Sequence, residues 1–339
     1  MTEEHYGTPP STLIDVARIA GVSPSTVSRI LNGTAKVAEA KRLAVLAAIE
    51  QINFTPNQMA QSLKSGHTMT IGIVVQDISS PFFDESLRGI DDGLKNTGYT
   101  SVIVSGHWDA QEEAERIRLL LARKVDGIIL LSGRISDETV LKFSHRRPIV
   151  STGRIMQSKT AIGFKIDNEH GAFLAVNHLI ELGHRRIAFV SGPFNNMDAG
   201  ERLNGYIKAL KQANIEIDDE LITEGDFHEA CGLLAINHLF ETRQQFTAIF
   251  AANDLSAYGA RLGLYRKGVR VPEDISLIGF DDLPGSAYTA PPLTTIRQPL
   301  YDIGRIATKT LLSLIEGKDA QWEIPPLELV VRETTRQLR

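Results

Sequence analysis

A chain of 339 residues with 42% apolar and 23% charged residues is long enough for two or three globular domains and has the balance of a soluble protein. No run approaches the roughly 18 uncharged apolar residues of a membrane span. Met1-Thr2-Glu3-Glu4-His5 lacks the basic start and apolar core of a secretory signal, so a cytoplasmic protein without membrane association is expected. One cysteine, Cys231, excludes an internal disulfide, while a net charge of −5 neither announces nor excludes a nucleic-acid partner.

The first predicted helix places Leu13, Val16, Ala17 and Ala20 on one face. Gly21-Val22-Ser23 breaks it, with Gly21 suited to the positive φ of a tight turn and Val22 apolar where that turn must plug a core. Ser23 is a good N-cap and Pro24 follows at the first helical position. The second helix then runs from Pro24 to Leu31, turning Val27, Ile30 and Leu31 inward and Ser25, Ser28 and Arg29 outward. A third, about Glu39 to Ile52, buries Val45, Ala48, Ile49 and Ile52. A tight second turn and an exposed Ser/Thr-rich helix without acids distinguish a helix-turn-helix from a generic bundle. Residues 1–66 hold six Lys/Arg against five acids, a weak electrostatic footprint. Affinity for DNA is therefore expected to lean on helix N-termini, hydroxyl contacts and dimerisation.

Residues 54–66 are polar and end in Ser-Gly, the composition of a linker, although Asn57 could cap two turns of helix from Gln58 to Leu63. From residue 70, strands and helices alternate. Strands are predicted at 70–76, 100–105, 127–131 and 149–152, and again at 186–191, 247–251 and 276–280. Helices between them include 82–97, 110–124, 169–182, 202–213 and 255–267. Such alternation means parallel sheets with right-handed crossovers, and two sets of it mean two similar lobes. Ligands of these sheets bind at the carboxyl ends of the strands, which a cleft between two lobes would face from both sides.

The segments Thr12-Leu13-Ile14-Asp15-Val16-Ala17, Ala20-Gly21-Val22-Ser23 and Thr26-Val27-Ser28-Arg29-Ile30-Leu31-Asn32-Gly33 resemble, in order and without gaps, the headpiece of the LacI/GalR (lactose-repressor) family. Asp126-Gly127-Ile128-Ile129, Leu182-Gly183-His184-Arg185-Arg186, Ala252-Asn253-Asp254, the run Pro272 to Asp281 and Pro292-Leu293-Thr294-Thr295-Ile296 carry the likeness through the rest of the chain. The resemblance implies an all-α helix-turn-helix headpiece over 1–56, a hinge helix and linker over 57–68, and an α/β two-lobed core over 69–339 like the periplasmic sugar-binding proteins. It assembles lobe one from about 69–164 and 295–325, and lobe two from about 165–294 and 326–339.

The same resemblance places Pro24, Ser25 and Arg29 at the major-groove reading positions, where Arg29 suits a bidentate guanine contact, and Ser28, on the same outward face, is a further DNA-binding candidate. It gives phosphate contacts to Thr12, Ser23, Thr26 and Asn32. Asn57 and Leu63 fall on the hinge, with Leu63 at the position of a minor-groove wedge. Carried over residue by residue, it makes Phe82, Phe83, Asn196, Asp198, Arg202, Phe227, Asn253 and Asp281 the effector-binding set. Arg202 and Asp281 suit bidentate bonds to vicinal hydroxyls, and the rings suit the apolar face of a sugar or a base. Each Phe could equally be core, and Asp281 a turn residue. Asp77 and Trp108 also follow lobe-one strands. Gly153 stands where several relatives carry an acid or amide, leaving neighbouring Arg154 as a substitute.

No leucine heptad follows Leu329-Val330-Val331, so a dimer is expected. An enzyme is disfavoured: there is no GxGxxG after the first strand, no Walker loop, no GxSxG and no HExxH, and His170, His178 and His184 read as helix-surface and helix-end residues rather than metal ligands. The expectation is a homodimeric transcriptional repressor on a palindromic double-stranded operator. A small molecule, a saccharide first and a nucleoside or purine second, would control it, with no cofactor and no metal.

Overall fold

The computed structural model describes residues 11–31, 37–54 and 66–338. The chain divides between Thr68 and Met69 into two units. In the first, α1 (Leu13–Ile19), α2 (Pro24–Leu31) and α3 (Glu39–Gln51) close around Val16, Ala17, Val27, Val45, Ala48 and Phe54. Thr12 and Asp15 form a reciprocal capping box on α1, the Asp15 amide donating to Thr12 Oγ1 at 3.3 Å and the Thr12 amide to Asp15 Oδ2 at 3.0 Å. The Thr12 hydroxyl, which donates to Asp15 Oδ2 at 2.7 Å, and the Thr12 amide, with Arg18 adding to them, hold the Asp15 carboxyl below its ordinary pKa. Gly21 takes φ +65°, the conformation that lets α2 leave α1 within one turn. Asn57, Leu63 and the hinge helix expected over Gln58–Leu63 lie outside the described residues, as does Asn32.

The second unit contains two six-stranded sheets. The first comprises β1 (Thr70–Val75), β2 (Thr100–Ser105), β3 (Gly127–Leu131), β4 (Ile149–Thr152), β5 (Met156–Gln157) and β6 (Ala161–Phe164), in the order β2-β1-β3-β4-β6-β5. The second comprises β7 (Ile187–Val190), β8 (Ile222–Thr223), β9 (Ala248–Ala251), β10 (Ser276–Asp281), β11 (Thr294–Arg297) and β12 (Glu328–Val330), in the order β12-β11-β10-β9-β7-β8. All neighbours are parallel except β5 with β6 and β11 with β12. The central strands are apolar and buried along their whole length, as expected where helices cover both faces.

Helices α4 (Asp84–Leu94), α5 (Ala110–Ala122), α6 (Asp137–Ser144) and α11 (Leu300–Ile315) belong to the first lobe. Helices α7 (Asn168–Glu181), α8 (Met197–Gln212), α9 (Glu229–Glu241) and α10 (Asp254–Arg266) belong to the second. The helix expected over 82–97 is shorter. Pro81–Phe83 make a single 3-10 turn before α4, and Lys95 leaves the helix at ψ 135°. Helices α4 and α11 approach so closely that a Cβ on Gly89 would lie 2.1 Å from the Tyr301 carbonyl oxygen, and one on Gly304 2.1 Å from that of Ser86.

The chain leaves lobe one across Lys165–Asp167. Its return corrects the expected boundary. Thr294–Arg297, placed in part in lobe one by sequence, pairs along β10 as a full member of the second sheet, so the crossing lies at Gln298-Pro299. The third crossing falls between Ile324, packed on the lobe-one core, and Leu327, packed on that of lobe two. His184 is buried rather than superficial: its Nε2 donates toward Ser276 Oγ (3.0 Å) and the Arg336 carbonyl (3.1 Å), and its Nδ1 accepts from Thr247 (2.9 Å). It thereby ties the C-terminal segment to lobe two, and burial lowers its pKa.

Candidate functional site

The carboxyl ends of the lobe-one strands carry several left-handed backbone positions. His107 (φ +52°) and Trp108 (+55°) follow β2, Ser132 (+62°) and Gly133 (+132°) follow β3, and Gly153 (+83°) follows β4. Non-glycine residues adopt this region at a cost, and they stay there only where the surroundings fix them. Buried Gln76 accepts the Trp108 amide at 3.1 Å and donates to the Ser132 carbonyl at 3.4 Å. Buried Glu113 accepts the amides of Arg134 (2.8 Å) and Ile135 (2.9 Å). Desolvation raises its pKa against those bonds and the nearby arginines. Arg154 completes the brace, donating to the Ile135 carbonyl (2.6 Å), the Gly133 carbonyl (3.1 Å) and Asp137 (2.8 Å). It thereby clamps the 133–137 loop, and it also borders the outer part of the cleft beside Gly153.

Beneath these loops the cleft between the lobes has two neighbouring parts that share lining residues. The inner part, about 40 Å³, is lined from lobe one by Phe82, Phe83 and Phe164 and on the other side by Lys165, Asn168, Asp198, Arg202 and Gln298. The outer part, about 530 Å³, includes Trp108, Arg134, Asn195, Asn196 and Asp198. Lys165 and Asp198 border both, as do Ser132 and Gly153.

Arg202, on the first turns of α8, is 4% exposed. Its Nε donates to Asn168 Oδ1 at 2.9 Å and its Nη1 to the Ala252 carbonyl, while its guanidinium stacks 3.9 Å from the Phe280 ring centre and 5.7 Å from that of Phe227. Asp198 accepts from Asn168 Nδ2 at 3.1 Å; burial raises its pKa and Arg202 opposes that rise. Lys165 is held by Glu201.

Asp281 ends β10 at φ +122° and lies behind Arg202, its Oδ1 3.7 Å from Nη1 and accepting from Gln298 Nε2 at 2.6 Å. Burial pushes its pKa well up, with Arg202 opposing and Asp254 adding to the rise. Asp254 itself, fully buried, is pushed up to about 7 by desolvation. The hydroxyls of Ser286 and Thr295 and the Leu283 amide, which all donate to it, oppose that shift. Of the sequence-derived effector set, Phe82, Phe83, Asp198 and Arg202 line the inner space and Asn196 the outer, where it also caps α8. Phe227, Asn253 and Asp281 line neither. Phe227 packs against Gly192 and Arg202, Asp281 faces Arg202 from behind, and Asn253 caps α10 at Ser256 (3.0 Å) while holding the Phe227 carbonyl (2.8 Å). The reading missed Lys165, Asn168 and Gln298. All three sit at the lobe crossings, and nothing in their local sequence marks them.

In the first unit, Ser23 Oγ accepts the Thr26 amide at 3.2 Å and shares hydrogen bonds of 2.8 Å with the hydroxyls of Ser25 and Thr26. Pro24, Ser25 and Arg29 are exposed along α2, Thr26 and Ser28 are half-buried, and Thr12 is exposed in the α1 cap. The surface offered is thus an acid-free helix N-terminus ringed by hydroxyls, with Arg29 farther along.

Comparison with known proteins places both units. The profile of bacterial regulatory proteins of the lacI family matches residues 12–57, and that of periplasmic binding proteins and sugar binding domain of the LacI family matches 68–332. The HTH-type transcriptional repressors PurR of Vibrio atlanticus and Vibrio vulnificus are 35% and 36% identical over 333 and 336 residues, each covering 97% of this chain and 99% of the relative. The lac repressor dimer bound to operator and the anti-inducer ONPF superposes with a TM-score of 0.86 at 30% identity, covering 97% of this chain and 100% of that one. The complex of the regulator CelR with cellobiose does so at 0.69 and 33%, covering 96% and 99%. The chain belongs to the LacI family of bacterial regulatory proteins and is a sequence-specific DNA-binding transcriptional regulator.

Proposed function

We propose that this regulator is a homodimeric repressor acting in the cytoplasm. It grips a palindromic operator with one α2 in each half-site and changes its operator affinity when a saccharide occupies the cleft. The observation that carries the ligand class is the inner cleft itself. Arg202, Asp198 and Asn168, joined by hydrogen bonds, line it together with Phe82 and Phe83, whose rings meet edge-to-face at 5.1 Å. Planar donors and acceptors suit paired hydroxyls, and ring faces suit the apolar face of a sugar. The dimer is supported by the lac repressor dimer that the chain resembles and by the exposed apolar residues Leu262, Tyr265 and Tyr288 in lobe two. A nucleobase or nucleoside is the second reading, favoured by the repressors named PurR among the relatives.

By linkage, whatever factor the ligand applies to operator affinity the operator applies to ligand affinity. The test is selection of operators from random DNA with the full-length protein, followed by anisotropy titrations of the winner with sugars, sugar phosphates, nucleobases and nucleosides. An enriched palindrome whose affinity shifts with one sugar is expected. A shift with nucleobases alone would move the ligand to the second reading, and no enrichment with or without ligands would refute the regulator mechanism.

A further inference from the structure

Parallel strands joined through helices give lobe one two unlike edges, and the edge at the amino ends of its strands is basic. The acids of α5 (Glu112, Glu113, Glu115) and α6 (Asp137, Glu138) lie in the first two turns, at the opposite edge. The cations gather where these helices end. Arg123 follows α5, Lys142 lies in the last turn of α6, Arg146 and Arg147 lead into β4, and Lys159 sits in the turn between β5 and β6. Arg118, 5.6 Å from the centre of the Phe143 ring, joins α5 to α6. Arg123, Lys142, Arg146 and Lys159 are exposed and Arg147 is half-buried. Among the described residues none of these five side chains has a hydrogen-bonding or carboxylate partner. Asp126, the acid beside them, accepts the Met69 amide at 2.9 Å. The same tripeptide is tied down in lobe two. There His184-Arg185-Arg186 follows α7, with Arg185 donating to the Ile180 carbonyl at 3.4 Å and Arg186 to the Gln245 carbonyl at 2.6 Å and to Asp218 at 2.9 Å. His145-Arg146-Arg147 has no such ties. Cations in a last helical turn offset the helix dipole, which accounts for Lys142 but not for Arg147 and Lys159, which lie outside any helix.

The chain enters lobe one at this same edge. Met69 precedes β1, and in the strand order β4 and β6 stand two and three places away, about 10 and 15 Å across the sheet. Residues 58–68, which lead there from the DNA-reading unit, span at most about 40 Å even when fully extended. Residues 1–66 themselves carry six Lys/Arg against five acids, while duplex DNA presents one negative charge per roughly 1.7 Å of its axis. We propose that the basic rim formed by Arg123, Lys142, Arg146, Arg147 and Lys159 binds phosphates of the DNA flanking the operator. It supplies sequence-independent affinity that the helix-turn-helix unit lacks, and the protein's contact with DNA extends beyond the bases that unit reads. Guanidinium and ammonium groups on phosphate oxygens fix position and carry no sequence information, so the rim strengthens binding without altering which operator is chosen.

The test is anisotropy titration of the full-length protein, at several salt concentrations, on two duplexes: the selected operator alone, and the same operator extended by about 15 base pairs on each side. Wild type is compared with the triple variant Arg146→Gln, Arg147→Gln, Lys159→Gln. The control is Lys211→Gln, Arg243→Gln, Lys267→Gln, which removes the same charge from exposed positions of lobe two. On the extended duplex the rim variant should flatten the plot of log affinity against log salt by at least about 2, since each phosphate contact contributes about 0.9 and each protomer loses one or more. It should also bind at least about tenfold more weakly at low salt. On the trimmed duplex all three proteins should agree within about twofold, which shows in addition that the rim variant is folded. Equal slopes for wild type and rim variant on the extended duplex would overturn the proposal, leaving the rim as helix-end charge or as a docking face for an acidic protein. A lobe-two control that loses as much as the rim variant would overturn it too, because the loss would then follow net charge alone.

Discussion

Replacing Arg202 with alanine tests whether the buried polar array behind the cleft is held together by one cation. The change strips partners from two buried acceptors, Asn168 Oδ1 and the Ala252 carbonyl, each worth roughly 1–3 kcal/mol when left unsatisfied. It also removes the cation that opposes the rise of the Asp281 pKa, and that carboxyl is 3% exposed. Breaking a buried pair from one side costs about 3–5 kcal/mol, a large part of the roughly 5–15 kcal/mol that holds a domain folded. The pH dependence has a definite sign. A carboxyl whose folded pKa is raised keeps in the native state a proton that the unfolded chain releases above about pH 4, so it destabilises increasingly as pH rises toward the folded value. Removing Arg202 raises Asp281 further. The deficit of Arg202→Ala relative to wild type should therefore be larger at pH 8 than at pH 5.5, and adding Asp281→Asn should reduce that difference, leaving the part that comes from Asp198, whose rise Arg202 also opposes. Urea unfolding of wild type, Arg202→Ala, Asp281→Asn and the double variant at both pH values measures it. A deficit under about 1 kcal/mol, or strict additivity of the two substitutions, would refute the coupled-array argument.

Three further outcomes follow from local geometry. Ser23→Ala removes the acceptor of the Thr26 amide and should lower headpiece stability by about 1 kcal/mol, seen in its thermal unfolding. Arg29→Ala, on the exposed face of α2, should cost about 1–3 kcal/mol on the selected operator and much less on random DNA in competition titrations; equal losses on both would make Arg29 a phosphate contact. Burial lowers the His184 pKa, so the stability of its neutral ring is fully present above the ordinary imidazole value and is lost as pH falls below it, by at most about 1.4 kcal/mol per pH unit. Between pH 7.5 and 5.5, His184→Gln should therefore lose less stability than wild type, and parallel pH profiles would contradict the buried neutral assignment.

The elements that could be read in advance are those whose signal is local. Thr12 with Asp15, Gly21 and Ser23-Pro24 act within a turn or two of sequence, the apolar period of each helix marks Val16, Val27 and Val45 as its buried face, and the helix-turn-helix follows from them. The continuous apolar runs of β1, β3, β9 and β10 likewise announce strands covered on both faces. Sequence alone divides Thr294–Arg297 between the lobes, after Thr294, because strand period and apolar content are the same in either sheet. Only its register with Ile278–Asp281 decides which lobe it joins.

The site was legible in a different measure, and the reason is how its residues are divided between contact and support. Phe82, Phe83, Asp198 and Arg202 reach the inner cleft directly. Asn253 and Asp281 offer the same polar chemistry from behind it, one bonded to a helix cap and a carbonyl, the other to Gln298 and Arg202. Composition cannot separate a side chain that meets a ligand from one that holds its neighbour, because both must be polar, buried and at a strand end. What separates them is hydrogen-bond accounting over the long sequence separations that join Arg202 to Ala252 or Leu283 to Asp254. That accounting also explains why Gln76 and Glu113, which offer no recognisable motif, matter to the cleft. They satisfy the backbone of Trp108, Ser132, Arg134 and Ile135, and so keep left-handed loops in place at the strand ends that line it.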